Sequence, residues 1–202
     1  MNSSKMNSAK FARVWGETER KIYMVYVLLA NGFEEVEAIE PIDILRRCGA
    51  EVKTASVMKT KEVCGAHGIT VTADIMISEL DPENMEMVML PGGGMGHELL
   101  DASNDVHGVI NYAVSHGRYV AAICAAPSIL GKKHLLNGKK ATCFPGFEKY
   151  LYGAEVSSEK VVTDGKFITA KGAGAAADFG FELAKILCGA EKAEEIRTQM
   201  QY

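Results

Sequence analysis

The sequence predicts a three-layer α/β fold built on a mostly parallel sheet, and three observations carry that expectation. From Met24 onward, short apolar runs alternate with helix-like segments. Runs such as MVYVLLA and MEMVML are apolar at successive positions, as in strands covered on both faces. Connections of helical length separate most of these runs, which is what parallel pairing requires.

Met24–Ala30 is the first expected strand, followed by a helix over Glu34–Cys48. Further strands are expected at Val52–Ser56, Ile69–Thr72 and Met85–Leu90. A helix over Val106–His116 leads to a strand at Tyr119–Ile123. Pro127, suited to a first helical turn, opens a helix over Pro127–Lys133. Val161–Thr163 and Phe167–Ala170 flank Asp164-Gly165, the turn pair of a hairpin. Helices over Ala175–Leu187 and Glu191–Gln201 follow. Residues 1–22 are polar and lack the apolar stretch of a secretory signal, so they read as a disordered extension. Their Ser, Lys and Arg, with no acid before Glu17, make an organelle-transit segment the lesser alternative. Residues 23–202 are expected to form a single domain.

Of the 202 residues, 48% are hydrophobic and 24% charged, ordinary values for a soluble chain. A net charge of −4, with basic residues scattered among acids, gives no expectation of a nucleic-acid or membrane-surface partner. No apolar run approaches the roughly 20 residues that span a bilayer. Five cysteines (Cys48, Cys64, Cys124, Cys143, Cys188) are an odd number without C-x-x-C spacing. That argues against a disulfide framework and a structural zinc site, and places the chain in a reducing, cytoplasmic compartment. His67, His97, His107, His116 and His134 show no metal-ligand spacing and read as surface or core residues. His97 lies nearest a candidate loop. Neither a metal nor an organic cofactor is expected.

In parallel α/β sheets, chemistry collects where strands end and loops lead into helices. Three loops qualify: Asn31–Glu34, Pro91–Gly96 and Cys124–Ala126. Cys124 ends the run VAAI just before a helix opened by Pro127, with the small residues Ala125 and Ala126 allowing a sharp turn. This is the arrangement of a nucleophile elbow, where a helix N-terminus favours the thiolate. An inert buried cysteine remains the alternative. The glycines of LPGGGMG match no phosphate-loop pattern, and Gly92–Gly96 reads as an oxyanion-binding turn. Glu37 shares a helical stripe with Pro41, Ile44 and Cys48, and a carboxylate on an apolar stripe is costly unless neutral or paired. An exposed place in an acidic helix start is the competing reading. If the loops converge, Glu37 and Cys124 share one proton and titrate as a unit.

Taken in order, NGFEEVEAIEPIDILRRCG, VMLPGGGMG, VAAICAAPSIL, TCFPGFEKY and TAKGAGAAADFGFELAKIL resemble the DJ-one/ThiJ/PfpI superfamily. The resemblance spans Met24 to about Gln199 and implies a class I glutamine-amidotransferase-like, flavodoxin-like sandwich. By that resemblance, Cys124 is an easily oxidised nucleophile and Glu37 the glutamate hydrogen-bonded to it. Gly93 and Ala125 supply backbone N–H groups to a reacting oxygen, and Arg46 and Arg47 lie near a homodimer interface. The implied activity is that of glutathione-independent glyoxalases or deglycases acting on small dicarbonyls or glycated protein, without cofactor. Oxidative-stress sensing or a chaperone-like role is the alternative, and cysteine peptidase activity a distant third. Two departures stand out. Peptidase members have a histidine where this chain has Ala125, and some deglycase-like members have one at Phe144.

Overall fold

In β1 (Met24–Leu29), every residue is buried and the side chains divide by parity. Val25, Val27 and Leu29 enter one core, and Tyr26 and Leu28 the other. β7 (Tyr119–Ile123) repeats the pattern, with Ala121 and Ile123 on the first face and Val120 and Ala122 on the second. A strand's period of two sends successive side chains to opposite faces, so an apolar residue at every position needs a helical layer on each side. The structure, a computed structural model, describes residues 24–202, and the expectations for residues 1–22 lie outside them.

The remaining elements in chain order are α1 (Glu35–Arg47), β2 (Glu51–Ser56), β3 (Glu62–Cys64), β4 (Thr70–Thr72) and β5 (Ile75–Met76). β6 (Met85–Leu90), α2 (Gly94–Ala102), α3 (Asn104–Ser115) and α4 (Pro127–Lys132) lie on either side of β7. The short β8 (Lys140–Ala141) and β9 (Glu155–Val156) precede β10 (Val161–Asp164), β11 (Phe167–Ala170), α5 (Ala176–Cys188) and α6 (Ala190–Gln199). The main sheet runs β10-β11-β7-β6-β1-β2-β5. Its neighbours are parallel except β10 and β11, which form the expected hairpin with Asp164 opposite Phe167. Residues of α1, α5 and α6 fill the first core, and residues of α2, α3 and α4 the second. α1 and α5 pack so closely that a Cβ on Gly180 would stand 2.7 Å from Ile44 Cδ1 and 3.0 Å from Pro41 Cα.

Besides the short strands β3, β5, β8 and β9, which periodicity did not mark, two elements differ from expectation. Residues 70–72 do form a strand, but β4 pairs antiparallel with β3 in a separate two-stranded ribbon outside the main sheet. The glycine segment also becomes helical from Gly94, giving α2, because the left-handed Gly93 (φ 97°) turns the chain straight from β6 into a helix. Glycines thin the periodic signal there, yet His97 and Leu100 still form a buried face.

β2 lies on one side of β1 and β6 on the other, so the chain reverses its winding direction between β1 and β6. A crevice opens at the carboxyl ends of strands at such a point. Among the described residues, no helix is long and apolar enough to cross a membrane.

Candidate active site

Cys124 follows β7 with φ of 67°, a left-handed conformation that is strained for a residue bearing a Cβ. The turn is pinned on both sides. The Cys124 N–H donates to Ala170 O at 2.9 Å, and its carbonyl accepts from the Phe144 N–H at 2.7 Å. Pro127 then starts α4 in its first turn. The elbow expected from VAAICAAP is therefore present, and Cys124 is a part-exposed residue.

Glu37, on the inward face of α1 with Pro41 and Ile44, is only 1% exposed. Its Oε2 accepts the Gly92 N–H at 2.9 Å. A Cβ added to Gly92 would stand 2.5 Å from both Cys124 Cβ and Glu37 Oε2, and 3.0 Å from Cys124 Sγ. The two side chains thus meet over Gly92, close enough for each to shift the ionisation of the other. The N–H groups of Gly93 and Ala125 both donate towards the sulfur. All four residues singled out from the sequence come together at this one place.

Burial raises the Glu37 carboxyl to about 7, against hydrogen bonds from Cys124 and the N–H groups of Gly92 and Ala173, with the Glu34 charge adding to the rise. The Cys124 thiol is pushed up to about 12, first by burial and then by the charge and hydrogen bond of Glu37; the Gly93 and Ala125 N–H groups pull the other way. The helix end and its amides therefore do not by themselves hold an anion on sulfur. The part of the rise that comes from an ionised Glu37 is lost when the carboxyl holds the proton, while the larger part from burial remains. Thiolate and carboxylic acid are one proton arrangement of the pair, and thiol and carboxylate are the other.

The loop after β11, which no sequence motif marked for a role, completes the crevice. The Ala173 N–H lies near enough to Glu37 to favour its ionised form. A Cβ on Gly172 would lie 3.2 Å from Phe144 Cδ2, 3.6 Å from Glu37 Oε1 and 3.8 Å from Cys124 Sγ. Phe144, half-exposed, therefore borders the site. The signal was available: KGAGAAA follows a strand adjacent to β7, at the same edge of the sheet. His97 is buried, and its Nδ1–H donates to Gly94 O at 2.8 Å, bracing the first turn of α2. Arg46 and Arg47 lie at the exposed end of α1. Arg46 donates to Val52 O and Asp74, and Arg47 pairs with Asp43.

A second cluster sits at the start of α1. Glu35 is buried, and its Oε1 accepts the N–H groups of His67 at 2.8 Å and Ile69 at 3.4 Å. Its Oε2 accepts the His67 Nδ1–H at 2.9 Å, and Glu34 Oε1 lies 3.5 Å from the same nitrogen. Burial works against an ionised Glu35, but the His67 and Ile69 donors outweigh it and hold the carboxyl at about 2. Local spacing hid this cluster, since His67 reaches Glu35 across 32 positions of sequence.

Together the crevice defines a class: an α/β-sandwich thiol protein whose cysteine answers to a carboxyl group rather than an imidazole. The chain belongs to the DJ-1/PfpI family, whose profile matches residues 23–186. A DJ-1 homolog B of Arabidopsis thaliana is 40% identical over 174 residues, covering 85% of this chain but only 40% of the relative. The chain thus spans less than half the length of that plant protein. A protein named a deglycase, from Pyrococcus abyssi, is 33% identical over 149 residues, covering 73% of this chain and 89% of that one. Among solved structures, oxidized DJ-1 of Toxoplasma gondii superposes with a TM-score of 0.85 at 34% identity, covering 89% of this chain and 98% of that one.

Proposed function

We propose that this chain is a cofactor-independent enzyme that converts 2-oxoaldehydes such as methylglyoxal or glyoxal, or their adducts on protein, into 2-hydroxy acids. The observation carrying the proposal is the meeting of the buried Glu37 carboxyl and the Cys124 side chain over Gly92, beside the Gly93 and Ala125 N–H groups. The deglycase name of the Pyrococcus relative supports the same class. Cys124 thiolate attacks the aldehyde carbon, and the carbonyl electrons move to oxygen between the two amides. Such a donor contributes about 10² to 10³ in rate. Glu37 delivers its proton to that oxygen, giving a hemithioacetal. The resulting carboxylate removes the C1 proton and returns it to C2 through an enediol, leaving a thioester. Water hydrolyses the thioester and restores the thiol. C1 is oxidised as C2 is reduced, so the substrate supplies its own electron acceptor. The test is lactate formation from methylglyoxal without glutathione. Cys124→Ala and Glu37→Gln are each expected to lose more than about 10²-fold in kcat/KM; full activity in either variant refutes the mechanism.

A second reading has its own support. Cys124 is a part-exposed residue whose sulfur faces two amides able to hold sulfinate oxygens, and the Toxoplasma relative was solved as an oxidized protein. In that reading two equivalents of peroxide convert the thiol stepwise to sulfinic acid, releasing two waters. Intact mass after mild peroxide decides the matter: a gain of two oxygens, abolished in Cys124→Ala, is required. A homodimer fits the exposed Val36 and Ile39 on α1 and Ile69 beside β4, and light scattering at the mass of one chain would refute it. Five free cysteines among the described residues suit a reducing, cytoplasmic setting.

A further inference from the structure

We propose that Glu34, Glu35 and His67 form a binding site for a first-row divalent cation of the zinc or cobalt type, separate from the thiol chemistry. One donor atom from each residue lies within 4.8 Å of the other two. His67 Nδ1 is 3.5 Å from Glu34 Oε1 and 2.9 Å from Glu35 Oε2. Bonds of about 2.0–2.1 Å give donor–donor edges of about 3.3 Å in a tetrahedral site. Of the three edges, His67–Glu34 is already near that spacing, His67–Glu35 needs to open by about 0.4 Å, and Glu34–Glu35 lies within 4.8 Å, all within the reach of side-chain rotation.

The surroundings are those of a supported ligand set. Glu35 Oε1 is occupied by the N–H groups of His67 and Ile69, which fix the carboxylate plane. That orients Oε2 towards the imidazole, the service that outer hydrogen bonds give to metal ligands. Among the described residues, His67 is the only basic side chain ion-paired with either Glu34 or Glu35. Two carboxylates therefore face a single imidazole, and a divalent ion matches that charge. The His67 side chain is 68% exposed, which gives the ion an entry path and leaves room for water to complete its coordination. On binding, Nδ1 gives up its proton and turns the freed lone pair to the cation, while Nε2 carries the one proton of the neutral ring. A mixed nitrogen and oxygen donor set favours zinc, cobalt or nickel over magnesium or calcium.

The experiment uses the full chain, stripped with EDTA and carrying Cys124→Ala so that the thiol cannot compete as a ligand. Co²⁺ and Zn²⁺ are titrated by visible absorption and by calorimetry, with Ca²⁺ as comparison. The expected result is one Co²⁺ per chain, displaced by Zn²⁺. His67→Ala and Glu34→Gln, both at accessible side chains, should each weaken binding at least about tenfold with an unchanged circular-dichroism spectrum. Absence of saturable binding means the cluster is an ion pair only and overturns the proposal. So does binding that survives both substitutions, or Ca²⁺ binding as tight as Zn²⁺.

Discussion

Replacing Glu37 with glutamine tests whether the proton at the centre of the site is held by burial. The folded carboxyl ionises at about 7, against an ordinary value of 4.5. Between those limits the native state binds more protons than the unfolded chain, so stability falls as pH rises through the window. It is fully present below 4.5 and fully lost above about 7. At about 1.4 kcal/mol per pH unit of displacement, the ionised carboxylate costs about 3 kcal/mol at pH 8. The glutamine side chain introduced by Glu37→Gln has the same shape and cannot ionise. It keeps an acceptor for the Gly92 N–H but turns an amide towards other donors, an offset of about 1 kcal/mol at every pH. The assay is urea unfolding at half-unit steps from pH 5 to 8, with EDTA present, followed by circular dichroism. The stability difference between variant and wild type should shift in favour of Glu37→Gln by about 2–3 kcal/mol across that range. Parallel profiles would mean that Glu37 ionises normally, and the shared-proton account would fall.

Gly92→Ala places a methyl 2.5 Å from both reacting side chains; activity should drop by more than about 10²-fold, with a loss of about 1–3 kcal/mol in stability, checked by kinetics and urea unfolding. Gly180→Ala gains about 1 kcal/mol of helix propensity but drives its Cβ to 3.0 Å from Pro41 Cα. Overpacking of about 1–3 kcal/mol should win, and a raised Tm would show that α1 and α5 can part freely. Glu35→Gln loses the charged acceptor for His67 and Ile69. Hydrogen exchange at residues 65–69 should speed by about tenfold or more, while β1 and β6 stay protected.

The parts of the structure legible in the sequence are those written in local periodicity. β1, β6 and β7 are apolar on both faces, and their ends located Cys124 and the glycine turn. Glu37 was legible because one carboxylate interrupts an apolar helical stripe. What escaped was held together by distance or by backbone. α2 lost its signal to glycines. β5, β8 and β9 are two residues each and exist only because a neighbour accepts their hydrogen bonds. Ala173 acts through its N–H, which residue identity does not reveal. Glu35 and His67 meet because the β3–β4 ribbon folds over the start of α1, anchored by Gly32 N–H to Cys64 O and Ala66 N–H to Phe33 O.

The four contributors to the crevice follow β1, β6, β7 and β11, segments far apart along the chain that become neighbours only in the finished sheet. A growing or partly denatured polypeptide therefore carries an ordinary solvated sulfhydryl, without its carboxyl gatekeeper. Susceptibility of Cys124 to alkylating reagents should consequently change in one step, at the moment the last of those segments docks, making a single sulfur atom a clock for completion of the whole architecture.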